Sequence, residues 1–307
     1  MTAIDAPLAV PRWTAELFVA DAGELAECPR WDDRTGRLLW VDIYAGTLNS
    51  VDASGADRRS QTAGLALGSF APREGEGYVL ALETGFALSG AEIADWTPVG
   101  RHRTTPSALR SNDGSCDPAG RFFAGTMAHD EAPHAGELLC LDVPARGQLP
   151  PTPVPVLSRT TVSNGIGWLA DGSRAYYVDS HERRLDVFDC DPDTGAFTNR
   201  RALISFGPDD GYPDGLTVDA EDQIWVAFWD GGVVRRFSPD GGLTGLIDVP
   251  VPRVSSCTFG GVNLDEVFIT SASHRLTAAE RAQHPLSGSI FQCRPGVSGV
   301  PVRRYNG

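Results

Sequence analysis

The feature that most constrains this chain is a phrase that it repeats: an Asp/Gly turn, a short apolar strand, a second turn, and another strand ending near Asp. One copy spans 31–42 (WDDRTGRLLWVD) and continues through Gly46 to Asp52. Others span 117–125, 171–179 and 219–228, the last continuing over 232–237, with weaker copies at 74–82 and 263–269. Six copies at intervals of about 40 to 55 residues match the period of propeller blades built from four short strands. The strands are aromatic and β-branched, and Gly, Pro, Asp and Asn punctuate them as a meander requires. A β-sandwich or a pair of β domains accounts less well for so regular a recurrence. Helical periodicity is nearly absent; Thr277 and Glu280 have capping-box spacing with Pro285 beyond, which predicts one short helix in a loop of the last blade. The expected architecture is all-β, a single six-bladed β-propeller over residues 15–307 behind an N-terminal tail of residues 1–14.

Aligning the copies on their apolar strand and stepping about ten to twelve residues upstream lands on Glu27, Asn112, Asn164 and Asp214 in four blades. In the second and sixth blades the step lands near Ser69 and Ser256. One phase of a propeller repeat projects to one mouth of the central channel, so two carboxylates and two amides are expected to converge there. Any one of them alone reads as an ordinary Asx turn; four at one phase point to a site. Carboxylates packed together repel unless a cation lies between them. An oxygen-rich shell of Glu, Asn and Asp is what hard divalent cations prefer.

The rest of the composition removes large classes of function. All 26 basic residues are arginine, so no lysine is available for a Schiff base or a phosphate-binding P-loop. Dinucleotide-binding, nucleophile-elbow and zinc-helix motifs are absent, since His181-Glu182 is followed by Arg183, Arg184 and Leu185. A net charge of −14 argues against nucleic-acid or anionic-membrane partners. No apolar run reaches the roughly 18 residues of a membrane span. Met1 to Trp13 lacks the basic and apolar regions of a secretory signal, so a cytoplasmic location is expected. The six cysteines, none in C-x-x-C spacing, read as free thiols.

Several segments, in matching order, resemble the SMP-30/gluconolactonase/luciferin-regenerating enzyme family of six-bladed propellers. They are Ala26-Glu27-Cys28-Pro29-Arg30-Trp31, Arg110-Ser111-Asn112-Asp113-Gly114, Phe123-Ala124-Gly125-Thr126-Met127, Ser163-Asn164-Gly165, Tyr212-Pro213-Asp214-Gly215 and Gly260-Gly261-Val262-Asn263-Leu264-Asp265. The likeness covers about residues 15 to 305. It implies that Glu27, Asn164 and Asp214 ligate one divalent metal cation, and that Arg110, Asn112 and Asp130 line the substrate pocket. Calcium, magnesium and manganese suit such ligands, and zinc or ferrous iron can occupy them. The implied activity is metal-dependent hydrolysis of a small-molecule sugar lactone, an aldonolactone such as gluconolactone or a pentonolactone. The resemblance casts Asp214 also as general base and leaves open whether water is activated there or on the metal. Trp229 is a candidate pocket wall. Cys28 stands where the family usually has glycine, and His129-Asp130 where many members have Glu-Glu; His129 reads as a surface residue rather than a ligand. The alternatives are a propeller hydrolase of another ester, such as a phosphotriester or aryl lactone, and a non-enzymatic metal-binding propeller.

Overall fold

The computed structural model describes residues 10–101, 108–145, 148 and 152–307. Six antiparallel sheets, taken in chain order, form the blades of a β-propeller. The first sheet consists of Ala26–Asp32, Arg37–Asp42, Thr47–Asp52 and Arg58–Thr62, running from the axis outward. The innermost strands of the following blades are Leu67–Pro72, Leu109–Cys116, Ser163–Trp168, Tyr212–Val218 and Val254–Gly260. Each innermost strand packs against those of the neighbouring blades around the axis. The repeated apolar strand of the sequence is the second strand of each blade. It is covered on both faces, which is why Leu38, Leu39, Trp40 and Val41 run without a polar break and are all buried.

The core lies between blades rather than inside one. Leu39 and Val41 of the first blade, for example, pack with Phe70, Leu80 and Leu82 of the second. Each fully buried side chain of this size contributes roughly 1.5–3 kcal/mol, so every blade depends on both neighbours. The ring is closed by the N-terminal segment: Glu16–Val19 pairs antiparallel with Ile290–Cys293 as the outer strand of the sixth blade.

One boundary differs from expectation. Residues 1–9 of the expected tail lie outside the described residues, but Arg12–Thr14 lies parallel to Leu243–Asp248 as a fifth strand of the fifth blade. The fifth blade therefore includes residues before 15, because its free edge offers a ladder that Arg12–Thr14 fills. The predicted helix forms over Ala278–Gln283, and Thr277 and Glu280 cap each other reciprocally. No helix among the described residues is long and apolar enough to cross a membrane.

Each innermost strand carries a register shift near one end. Four of the six shifts fall between Glu27 and Arg30, Ser111 and Gly114, Ser163 and Ile166, and Pro213 and Leu216; the other two fall between Leu67 and Ser69 and between Val254 and Ser256. A bulge bends a strand and re-aims side chains, and here four bulges occur at the residues picked out by the repeat phase. Glycine makes one of them possible. A Cβ on Gly215 would lie 2.1 Å from Ser256 Oγ and 2.4 Å from its Cβ, so the innermost strands of the fifth and sixth blades can approach only without a side chain there.

Candidate metal centre and active site

Glu27, Asn112, Asn164 and Asp214 all line one cavity of about 360 Å³ at the mouth of the channel. This lies near the lower end of the 300–1,000 Å³ usual for small-molecule pockets. All four are about 5% exposed. Two buried carboxylates therefore share a floor. Burial holds the Glu27 carboxyl well above its usual range, with the Asp113 charge adding to the effect; the Cys28 N–H, Arg110 and Arg30 oppose it. Burial likewise raises Asp214, reinforced by the charges of Glu27 and Asp113 and opposed by Arg110 and the Gly215 N–H.

A chain of hydrogen bonds fixes the two amides. Arg110 Nη1 donates to Asn112 Oδ1 at 2.6 Å, and Asn112 Nδ2 donates to Asn164 Oδ1 at 2.7 Å. Asn164 Nδ2 donates to Ser180 Oγ, which donates to the Pro213 carbonyl, both at 2.7 Å. With its N–H group committed to Ser180, Asn164 keeps its oxygen on the Asn112 side, and the second lone pair of that oxygen is free for a cation. Among the described residues no three His, Cys, Asp or Glu side chains gather in ligating geometry; the Asn164 side chain lines the same cavity as the Glu27 and Asp214 carboxylates. The all-oxygen set and the mutual repulsion of its carboxylates fit a hard divalent cation. Arg110 is 5% exposed, and its Nε has no partner within the protein, which leaves a buried donor for a bound molecule.

In every blade but the second, the turn between the second and third strands contributes to the lining, supplying Tyr44, Glu131, His181, Asp230, His274 and Arg275. Trp229 is a wall, as expected, with the Arg253 guanidinium 5.2 Å from its ring centre. His129 is half-buried beside Glu83, with 3.6 Å between Nε2 and Oε1, and is absent from the lining.

Asp130 lies outside the cavity lining. It is exposed and accepts the Ala132 N–H within its own turn. The carboxylate that lines the cavity is the next residue, Glu131. Glu131 adopts a left-handed backbone conformation with φ of 58°, and this reverses which of the two side chains faces inward. Cys28, which stands where the family usually has glycine, is not part of the cavity lining. Its thiol donates to Asp113 Oδ1 at 2.8 Å and approaches the Gly68 carbonyl at 3.5 Å, inside the channel rather than on the cavity wall. Asp113 is the buried acid that sequence reasoning passed over, although it adjoins Asn112 on the same bulge. The rim residues were missed as well. Their common position after the second strand is a repeat phase that could have revealed them.

Comparison with known proteins identifies the family. The SMP-30/gluconolactonase/LRE-like region matches residues 25–273. Regucalcin of Danio rerio is 33% identical over 294 residues, covering 95% of this chain and 98% of that protein. A luciferin-regenerating enzyme superposes with a TM-score of 0.84 at 28% identity, covering 94% of this chain and 97% of that one. A calcium-binding protein, regucalcin, from Agrobacterium tumefaciens shares the fold with a TM-score of 0.89 at 24% identity, covering 98% of this chain and 100% of that one. With its six blades and with Glu27, Asn164 and Asp214 at one channel mouth, the chain belongs to the SMP-30/gluconolactonase/LRE-like family.

Proposed function

We propose that the protein is a metal-dependent lactonase that opens a sugar lactone to its aldonic acid. The observation that carries this reading is the pair of buried carboxylates, Glu27 and Asp214, beside the Asn164 oxygen on the floor of a polar cavity. Glu27, Asn164 and Asp214 would hold the cation. When bound, it would supply Lewis-acid polarisation of the lactone carbonyl, worth several kcal/mol.

The remaining work falls to the protein. Arg110, with its unpartnered Nε, and Asn112, held by Arg110 and Asn164, present fixed polar atoms to ring hydroxyls or the carbonyl oxygen. Asp214 accepts a proton from the attacking water at its carboxylate as the new C–O bond forms. The proton then passes to the ring oxygen as the C–O bond of the lactone breaks, so the product leaves as an open-chain hydroxy acid. Burial and the neighbouring carboxylates favour proton acceptance at Asp214. A lining that includes Arg110, Asn112, Ser180 and His181 suits a polyhydroxylated substrate better than an apolar ester.

Asp214→Asn keeps a ligand oxygen but cannot accept a proton. It should retain metal at millimolar cation and lose about 10²- to 10⁴-fold in kcat. Arg110→Ala and Asn112→Ala should retain metal and lose kcat/KM. Metal content and lactone kinetics on the same preparations decide it. Near-normal kcat in metal-loaded Asp214→Asn would remove the general base, and full activity in verified metal-free enzyme would remove the metal.

A further inference from the structure

The mouth of the cavity is crossed by an ion pair between blades that stand opposite each other in the ring. Arg275 projects from the turn after the second strand of the sixth blade, and its Nη1 donates to Glu131 Oε1 in the corresponding turn of the third. The same guanidinium reaches the His129 carbonyl at 3.4 Å, and Glu131 Oε2 lies 3.3 Å from His181 Nε2 of the fourth blade. Both partners line the cavity. Both also adopt left-handed backbone conformations, each with φ of 58°, which is uncommon for residues with side chains and tends to be retained at functional positions.

We infer that the Glu131–Arg275 pair is a bar across the entrance that fixes the largest lactone the enzyme accepts. The inference rests on the lactonase reading above. With the carbonyl end of a lactone on the floor formed by Glu27, Asn164 and Asp214, the far side of its ring points at the mouth. The cavity of about 360 Å³ that the pair helps to line has room for a single sugar ring. A second ring attached to that far side has to displace the pair. The side chains are 52% and 31% exposed, so the bar contributes little to stability and weakens as salt screens it. It discriminates by having to open, and it can open.

The test compares gluconolactone with the disaccharide lactone in which a second sugar is attached to the C4 hydroxyl of the same ring. In Arg275→Ala and in Glu131→Gln, the ratio of kcat/KM for the larger lactone to that for the smaller should rise at least about tenfold, a usual worth for a steric pocket contact. Exchanging the charges, Arg275→Glu with Glu131→Arg, should return the ratio to within about threefold of wild type. Raising salt should lift the ratio in wild type but not in Arg275→Ala. An unchanged ratio in both single variants, or a charge exchange that fails to restore it, would overturn the bar. If wild type hydrolyses neither lactone, the lactonase reading falls by itself. The two unhydrolysed lactones then serve as ligands, and the ratio of their dissociation constants must shift in the same variants for the bar to stand.

Discussion

Removing a carboxylate from the metal floor should stabilise the metal-free protein. In wild type, burial raises the proton affinity of both Glu27 and Asp214, with the Asp113 charge adding to the effect on Glu27 and the Glu27 and Asp113 charges adding to it on Asp214. Groups whose folded pKa is raised bind more protons in the native state than in the unfolded state. The contribution of these two groups to the stability of metal-free protein should therefore be greatest at acid pH. It should fall as pH rises past about 4, where unfolded carboxylates ionise, and level off above the raised folded values. A buried charge without compensation costs about 3–5 kcal/mol. Arg110 and the Gly215 N–H offset part of this for Asp214, so Asp214→Asn should recover about 2 kcal/mol at pH 8. For a chain of this size that amounts to about 4 °C in Tm. The assay is thermal unfolding of both proteins in chelator at pH 5 and pH 8. The variant should be the more stable at pH 8, with a smaller advantage at pH 5. Cation at 1,000 times Kd adds about 4 kcal/mol to wild type and less to a variant with one anionic ligand fewer, so saturating metal should close or invert the gap. A wild type that is more stable than Asp214→Asn in chelator at pH 8 would refute the reasoning, because it would mean that the floor is already charge-balanced without a cation.

Two further outcomes test the surroundings of the site. All six cysteines are free, and all but Cys190 are buried, so thiol titration without reductant should count six in denaturant and react only slowly in the native state; a count of four or fewer would contradict it. Gly215→Ala places a Cβ 2.1 Å from Ser256 Oγ, so it should destabilise by roughly 1–3 kcal/mol and weaken metal affinity through the adjacent Asp214. Unfolding and metal titration that match wild type would show that the two strands can separate at no cost.

How much of the molecule was legible in advance follows from what each feature depends on. The propeller was legible because the second strand of a blade is covered on both faces, and runs such as Leu38 to Val41 record that cover in one short stretch of chain. Glu27, Asn112, Asn164 and Asp214 were legible because the repeat places them at equivalent points on innermost strands, and the fold carries a repeat phase to one place. Their bulges had no comparable signal. A register shift depends on which residues of two strands face each other, and it is what brings Asp113 into the channel beside Cys28.

The choice between Asp130 and Glu131 lay beyond the sequence too. Both are acids in one turn, and the left-handed conformation of Glu131 decides which faces inward. The rim has the same character. Arg275 and Glu131 are 144 residues apart and meet only because closure of the ring, completed by Glu16–Val19 on the sixth blade, sets opposite blades across one opening. Local burial and periodicity are written residue by residue along the chain and determined the blades and the carboxylate-and-amide floor of the cavity. Contacts across the axis exist only once all six blades have closed, so the tertiary structure alone decided the roof of the site.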